Sequence, residues 1–274
     1  MRFSVASLAP AVALMGLAVG AVSGQDKEQS FQGKTTTEWI QQLKTSAGKE
    51  RLQAIQALST MMSTAGTPLP PTKAAPAVPH LAAALKDPDP KVRQFAVGAL
   101  GQIGPLAKEA VPQIAELLKD KDMYQQRNAA LVLGKIGPDA ASAAPALVQG
   151  LKTSDDITGR IICDALGKVR AKDAVPALLE RVKGRQKGIW TRAAVALWQI
   201  ENHPDAMAAV VGALTSNDVL ERVQAIQAVG DIGPAAKTAV PALLENLKND
   251  RYRAPTIKAL KAVDPEAAKA AGIE

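Results

Sequence analysis

A helical hairpin repeats along most of this chain and constrains its fold more than any other feature of the sequence. A proline that precedes a short apolar helix recurs at intervals of 33, 33, 31, 32 and 33 residues, with alanine in its place once. These positions are Pro79, Pro112, Pro145, Pro176, Ala208 and Pro241. A fixed period of this length indicates supersecondary units that stack on one another.

Each unit has the pattern of a helix, a turn and a second helix. In the first complete unit, Leu81 and Leu85 lie on the apolar face of a short helix. Asp89 and Pro90 suit the N-cap and the first position of the next helix, and Gly104 suits the end of that helix. The sequence therefore predicts a series of helix pairs, each joined by a tight turn.

One large apolar residue recurs in every second helix, and we call it the anchoring residue. It lies 15 positions after the last apolar residue of the first helix in all units except the last, where the spacing is 13. The anchoring residues are Leu58, Leu100, Leu133, Leu166, Leu197, Val229 and Leu260. A unit of about thirty residues is too small to bury its own apolar face, so neighbouring units must cover it. We expect the anchoring residues to form one continuous core.

The recurring pattern A-V-P-x-L-x-x-x-L-K-x-x-D, followed by V-R-x-x-A-x-x-A-L-G-x-I-G, resembles the HEAT-like repeats of the subclass first described in phycobilisome lyases. The likeness is strongest in 79–104 and 112–137, is recognisable in 145–263 and is loose in 36–62. It implies an all-α fold, a right-handed α-solenoid of about seven helical hairpins whose second helices line a concave surface. Because the same repeat builds lyases, hydroxylases and binding proteins, the resemblance indicates architecture and not chemistry.

The N-terminal part of the chain differs from the repeat array. Residues 1–24 combine Arg2 with an apolar stretch and small residues suited to cleavage, which predicts a secretion signal; an uncleaved membrane anchor or a structural first helix are the alternatives. Residues 25–35 have the pattern of a flexible lead-in, and 36–274 that of the solenoid, with an extended proline-rich insertion at 63–76. The predicted protein is exported and of bacterial type, either periplasmic or secreted.

The inventory of reactive side chains argues against a catalytic or metal centre. Cys163 occupies the same position in its unit as Val97 and Ala130, which indicates a buried packing residue. His80 and His203 are the only histidines and lie 123 positions apart, too few and too distant to provide a zinc-type ligand set. The carboxylates of the turns are interpreted as helix caps. We predict no catalytic residue, no metal and no cofactor.

Positive charge is the main sequence clue to a binding site. The net charge of +7 is modest for this length, so its distribution matters more than its sum. Stacking would bring basic side chains of the second helices together in a ladder, which is formed by Arg93, Arg127, Lys135, Arg160, Lys168 and Arg192. The alternative is that the arginines bind turn aspartates and helix ends between neighbouring units.

A stripe on each second helix is the predicted lining of the concave surface. It contains the residues five before, two before and two after the anchoring residue, which share one side of a helix. The stripe residues are Phe95, Gly98, Gln102, Asn128, Leu131, Lys135, Ile161, Asp164, Lys168, Arg192, Val195, Gln199, Gln224, Gln227 and Asp231.

The predicted function is that of a non-catalytic scaffold or adaptor that binds another macromolecule, in the first place a protein, on its concave surface. The alternative is a polyanion or nucleic acid bound through the basic ladder, which steep salt dependence would reveal. A lyase-like enzyme is the third hypothesis. No small-molecule substrate is inferred, and membrane contact is expected only if the N-terminal segment stays uncleaved.

Overall fold

A computed structural model describes residues 28–64, 68–185 and 188–273, and helices dominate them. The one sheet in these residues is an antiparallel hairpin of β1 (Ser30–Phe31) and β2 (Lys34–Thr35). The α-helices are α1 (Thr36–Thr45), α2 (Gly48–Ser63), α3 (Pro71–Ala74), α4 (Val78–Ala84), α5 (Pro90–Ile103), α6 (Val111–Glu116), α7 (Met123–Ile136), α8 (Ala144–Thr153), α9 (Asp156–Lys168), α10 (Val175–Lys183), α11 (Trp190–Glu201), α12 (Pro204–Ala213), α13 (Val219–Ile232), α14 (Val240–Leu247), α15 (Asp250–Val263) and α16 (Pro265–Ala270). Short 3-10 helices span Ala75–Ala77, Gly104–Ala110, Leu117–Lys119, Gly137–Ala143, Lys172–Ala174 and Gly233–Ala239.

The turn residues start and end the helices as the sequence predicts. Asp89 caps α5 by accepting a hydrogen bond of 2.8 Å from the amide of Lys91, and Pro90 is the first helical residue. Gly104 follows the last turn of α5 with φ +67°, a positive value that costs glycine little. The equivalent N-caps of α7, α9 and α13 are Asp122, Asp155 and Asp218.

The helices stack in two layers. One layer contains the second helices α2, α5, α7, α9, α11, α13 and α15, each of which contacts the next. The other layer contains the first helices α1, α4, α6, α8, α10, α12 and α14, each packed on its own second helix. The described residues thus form seven helical hairpins, followed by α16. The all-α solenoid predicted from the repeat is confirmed.

The anchoring residues lie in the seam between units, as expected. Each of them is 0 % exposed: Leu58, Leu100, Leu133, Leu166, Leu197, Val229 and Leu260. They belong to one hydrophobic cluster that runs from Trp39 to Ala268. Because every unit contributes to this cluster through its neighbours, stability accumulates along the stack.

Glycines beside the anchoring residues allow successive second helices to approach closely. A Cβ atom on Gly134 of α7 would lie 3.3 Å from the Cα of Ala165 in α9. A Cβ atom on Gly167 of α9 would lie 3.0 Å from the Cα of Ala196 in α11. The helices therefore meet backbone to backbone at these points, with no room for a side chain. In the fifth unit Trp198 replaces the glycine and is half-buried.

The described part of 25–35, the segment predicted as a flexible lead-in, contains the N-terminal hairpin of β1 and β2. Its carbonyl at Phe31 accepts a hydrogen bond of 3.0 Å from Nε1 of Trp39, whose side chain is buried. Thr35 and Glu38 form a capping box that starts α1 directly after β2. The buried indole and the capping box hold the hairpin, whereas two-residue strands are too short to show a periodic pattern in the sequence.

The described residues of the insertion at 63–76 differ from the prediction of an extended segment. They contain the helix α3, and the amide of Leu69 donates a hydrogen bond of 2.8 Å to the carbonyl of Met61. Leu69 itself is buried. The prediction is wrong for α3 because Pro71 occupies its first position, where a missing N–H group has no cost.

The predicted secretion signal at 1–24 lies outside the described residues. Within the described ranges, no helix combines the length and the apolar character needed to cross a membrane. Export therefore stays a prediction from the sequence.

Candidate protein-binding surface

One face of the second-helix layer carries the stripe that the sequence predicts, and we call this face the second-helix surface. Phe95 and Leu131 belong to the stripe and are 37 % and 45 % exposed, whereas the adjacent Ala96 is fully buried. Val195 is an exception, because it is 3 % exposed and packs into the core. The stripe thus separates the outer face of the layer from the seam between units.

Hollows lie along the second-helix surface. One of about 550 Å³ lies between α2 and α5, and one of about 360 Å³ lies between α5 and α7; both are lined by Ser59, Phe95 and Gln102. Another of about 400 Å³ lies further along, between α11, α13 and α15, and is lined by Arg192 and Asp231. The surface has a largely uncharged N-terminal half and a charged C-terminal half.

Arg93, the first residue of the predicted basic ladder, binds the turn of its own unit. Its Nη1 donates hydrogen bonds to the carbonyl oxygens of Asp87 at 2.9 Å and Pro88 at 3.1 Å. Arg93 lies seven positions before its anchoring residue, whereas Arg127 lies six positions before the next one. One position turns the side chain by about 100° around the helix axis, so the two guanidinium groups leave their helices in different directions.

Arg127 links its unit to the next one. It donates hydrogen bonds to Oδ2 of Asp155 at 3.0 Å and to Oγ1 of Thr158 at 2.9 Å. The hydrogen bond from the backbone amide of Thr158 does most to lower the pKa of Asp155, and Arg127 lowers this pKa further. The carboxylate of this N-cap is therefore stabilised in its charged form by both units.

Arg192 on α11 connects three successive second helices. Its Nη1 lies 2.6 Å from Oδ2 of Asp231 on α13 and 3.9 Å from Oδ1 of Asp164 on α9. Burial raises the pKa of Asp164, and the charges of Arg192 and Lys168 oppose this shift. Nearby, Nε of Arg160 donates to the carbonyl of Asp156 at 3.3 Å. All four arginines of the predicted ladder therefore have partners within the protein.

The two lysines of the predicted ladder are placed differently. Lys135 and Lys168 are exposed, and their aliphatic stems lie over the seam between second helices. The Cδ of Lys168 lies 3.4 Å from the place that a Cβ would take on Gly134. Within 28–64, 68–185 and 188–273 neither lysine forms an ion pair. Of the six predicted residues, these two and Arg160 are exposed.

An ion pair at the start of the array was missed by the sequence analysis. Nη1 of Arg51 lies 2.6 Å from Oδ2 of Asp87, whose side chain is 3 % exposed. This pair ties α2 to the turn of the next unit. Arg51, Arg93 and Arg222 all lie seven positions before an anchoring residue, and each donates to a carbonyl oxygen of its own turn. This spacing does not predict the additional contact of Arg51 with Asp87.

The described residues offer no activated nucleophile at Cys163. Burial raises the pKa of this thiol to about 12, so it is protonated at neutral pH and surrounded by packing contacts. His203 serves as a helix cap, with Nδ1 accepting a hydrogen bond of 3.3 Å from the amide of Asp205. No cluster of potential metal ligands occurs in the part of the chain that the structure describes.

The two helical layers and the seam of anchoring residues define a helical-hairpin repeat protein of the solenoid type. A family model for HEAT repeats matches residues 78–160 and 124–198, and a model for HEAT-like repeats matches 49–103. Together the two models span more than half of the chain. The chain belongs to the HEAT-repeat family, as the repeat pattern predicts.

Solved structures share this fold. A chain in the complex of CpcE and CpcF of phycocyanin lyase from Nostoc sp. PCC7120 is 25% identical, with a TM-score of 0.54 over 92% of this chain and 97% of that chain. An engineered protein is 23% identical, with a TM-score of 0.52 over 85% of this chain and 71% of its own. Kap121p, solved bound to Nup53p, is 16% identical, with a TM-score of 0.50 over 86% of this chain and 30% of its own. No curated protein matches the sequence significantly.

Proposed function

We propose that the protein is a non-catalytic HEAT-repeat scaffold that binds another protein along the second-helix surface, on the concave side of the stack. The observation that carries this proposal is the exposure of Phe95, Tyr124 and Leu131 beside uncharged polar side chains on one continuous face. Clustered apolar and aromatic groups of this kind favour a protein partner. Because the stacked helices hold the face in place, little ordering entropy is lost on binding.

The likeness to a chain of the CpcE–CpcF complex supports a protein partner, because that relative is assembled with another protein. The same relative belongs to a phycocyanin lyase. We do not extend this activity to the present chain, because its one thiol is buried and protonated. Asp89, Asp122 and Asp155 of its turns are used as helix caps. A scaffold role fits this chemistry better than a catalytic one.

A polyanion partner is a weaker second candidate. The four arginines of the ladder already bind groups of the protein itself. A polyanion would have to compete with these contacts. Lys135 and Lys168 alone are too few to hold a polyanion by neutralising its charges. We further propose that the protein acts outside the cytoplasm, on the strength of the signal-like composition of residues 1–24.

Two exposed leucines provide a matched test of the proposed surface. Leu131 lies on the second-helix surface and Leu106 lies in the 3-10 helix between α5 and α6, with 45 % and 44 % of their areas exposed. The wild-type chain, Leu131→Asp and Leu106→Asp would each be used to capture partners from the envelope fraction of the producing cells. Captured proteins would be quantified by mass spectrometry at low and high salt.

We expect at least one captured protein to be lost with Leu131→Asp and retained with Leu106→Asp, also at high salt. Equal capture by all three chains would refute the proposed surface. Capture of nucleic acid that disappears as salt rises would favour the polyanion hypothesis instead, because phosphate contacts weaken steeply with salt. Circular dichroism of each variant confirms that its fold is kept.

A further inference from the structure

The two adjoining hollows at the N-terminal half of the second-helix surface form one groove across three helices, α2, α5 and α7. Phe95 forms part of the wall of both hollows. Neighbouring packed helices are about 8–10 Å apart, so the groove spans about 16–20 Å. An extended peptide rises about 3.3 Å per residue, so about five or six residues fit across it.

The groove carries almost no formal charge. Within the described residues, none of the side chains that line the larger hollow is acidic or basic, and Lys135 is the one acidic or basic residue that lines the smaller hollow. By contrast, Arg192, Asp231 and Lys258 line the hollow between α11, α13 and α15. An ion that enters the larger hollow would lose water without gaining an opposite charge. The groove is therefore complementary to an uncharged occupant.

The polar side chains of the groove are suited to a peptide backbone. Glutamines Gln53, Gln56 and Gln94 are exposed, and within the described part of the chain their side-chain amides make no hydrogen bond. An amide group both donates and accepts hydrogen bonds, as does each residue of an extended main chain. Gln102 is the exception, since its Nε2 donates to Oγ of Ser63 at 2.9 Å, and both residues line the larger hollow.

The apolar groups of the groove suit an apolar side chain on the occupant. Phe95 and Leu131 are more than one third exposed, and Phe31 is half-buried at the far wall of the larger hollow. An apolar or aromatic side chain packed against Phe95 would remove these surfaces from water, which favours binding by about 25 cal/mol per Å² of area buried. Such anchors usually dominate the energetics of peptide recognition.

We propose that this groove binds an extended, uncharged segment of the partner protein, with an apolar or aromatic side chain of that segment packed against Phe95. The proposal rests on the proposed function, because it assigns the partner's chemistry at one half of the second-helix surface. The glutamine amides pair with the main chain of the segment, and the side chains of the groove exclude acidic and basic residues from its centre.

Selection from a random-peptide phage library on the purified chain tests this assignment. We expect enriched sequences to share a stretch of about five or six residues that lacks Asp, Glu, Lys and Arg and contains an aromatic or large apolar residue. A synthetic peptide with the enriched sequence would then be titrated by fluorescence anisotropy. Phe95→Ala should weaken its binding at least about tenfold.

Two glutamines at equivalent places provide the matched control. Gln56 and Gln227 each lie two positions before an anchoring residue, the first in the uncharged groove and the second in the charged hollow. Gln56→Glu places a charge in the groove and should weaken the peptide at least about tenfold, whereas Gln227→Glu should leave its affinity unchanged. Circular dichroism and thermal melting show whether each variant is folded.

The inference and the proposed function fail in different ways. The inference is overturned by enriched peptides with charged centres, or by peptides whose affinity for Gln56→Glu and Phe95→Ala equals that for the wild type. In either case, a partner whose capture is lost with Leu131→Asp still supports the scaffold role. Absence of any enriched neutral sequence also overturns the inference. Tight binding of a neutral oligosaccharide such as maltoheptaose, tested in parallel and abolished by Phe95→Ala, would assign the groove to a sugar and not to a peptide.

Discussion

The close approach of successive second helices predicts that one substitution has opposite effects at two glycines. Gly167 lies in α9, and a Cβ atom on it would lie 3.0 Å from the Cα of Ala196 and would overlap the side-chain oxygen of Gln199. Gly98 lies in α5, and a Cβ atom on it would meet nothing within 4 Å. We expect Gly167→Ala to lower the free energy of unfolding and Gly98→Ala to raise it.

The magnitude follows from two opposing effects. Alanine is favoured over glycine in a helix interior by about 0.5–1 kcal/mol, so Gly98→Ala should stabilise by about that amount. At Gly167 the same gain is opposed by overpacking, which costs about 1–3 kcal/mol. The contact is with the backbone of Ala196, which has no rotamer that relieves it. Both variants gain the same helix propensity. The difference between their free energies of unfolding therefore measures the packing cost at Gly167, about 1–3 kcal/mol.

Urea unfolding of the two variants and the wild type, followed by far-UV circular dichroism, provides the measurement. The comparison is valid if the three chains have similar denaturant slopes. Combining Gly167→Ala with Gln199→Ala separates the two contacts, and we expect only part of the lost stability to return. Equal free energies of unfolding for Gly167→Ala and Gly98→Ala would refute the reasoning that the backbones of α9 and α11 meet at Gly167.

Three further predictions concern the core and the charged groups. Leu133→Ala should lower the free energy of unfolding by about 2–5 kcal/mol, and an unchanged midpoint in urea would contradict a core position. Asp155→Ala should cost about 0.5–2 kcal/mol at neutral pH through the lost N-cap. Because its pKa is lowered by folding, that contribution is present above the unfolded pKa and should vanish in urea titrations as the pH falls through the folded pKa. Folding raises the pKa of Asp164, so its contribution to the free energy of unfolding is lost as the pH rises from the unfolded pKa through the folded pKa. Over this range Asp164→Asn should become more stable relative to the wild type. Equal dependence of the two free energies of unfolding on pH would contradict this.

The repeat unit and its boundaries could be predicted from the sequence because the signals are local. A capping aspartate, a proline at the first helical position and a glycine after the last turn act within a few residues of one another. The period of the anchoring residues then requires stacking, since a single unit has no core of its own. The hairpin before the first unit could not be predicted in this way, because it is held by the buried Trp39 and its two-residue strands have no sequence pattern.

The candidate site was predicted in part. Phe95 and Leu131 lie on the exposed stripe as the helix period requires, but Val195 is buried although it has a stripe position. The partners of the predicted basic ladder depend on which turn lies within reach of each arginine. Arg93 binds the turn of its own unit, whereas Arg127 binds the turn of the next one.

The sequence by itself determined the stacked helical hairpins, the buried anchoring residues and, apart from Val195, the exposed stripe of the second helices, because each of these depends on spacing along one chain. Only the tertiary structure decided the partners of the charged side chains and the division of the surface into an uncharged and a charged half. Arg192 shows the physical reason: its two carboxylate partners belong to α9 and α13, and the offset between stacked helices, not the repeat period, places them within reach.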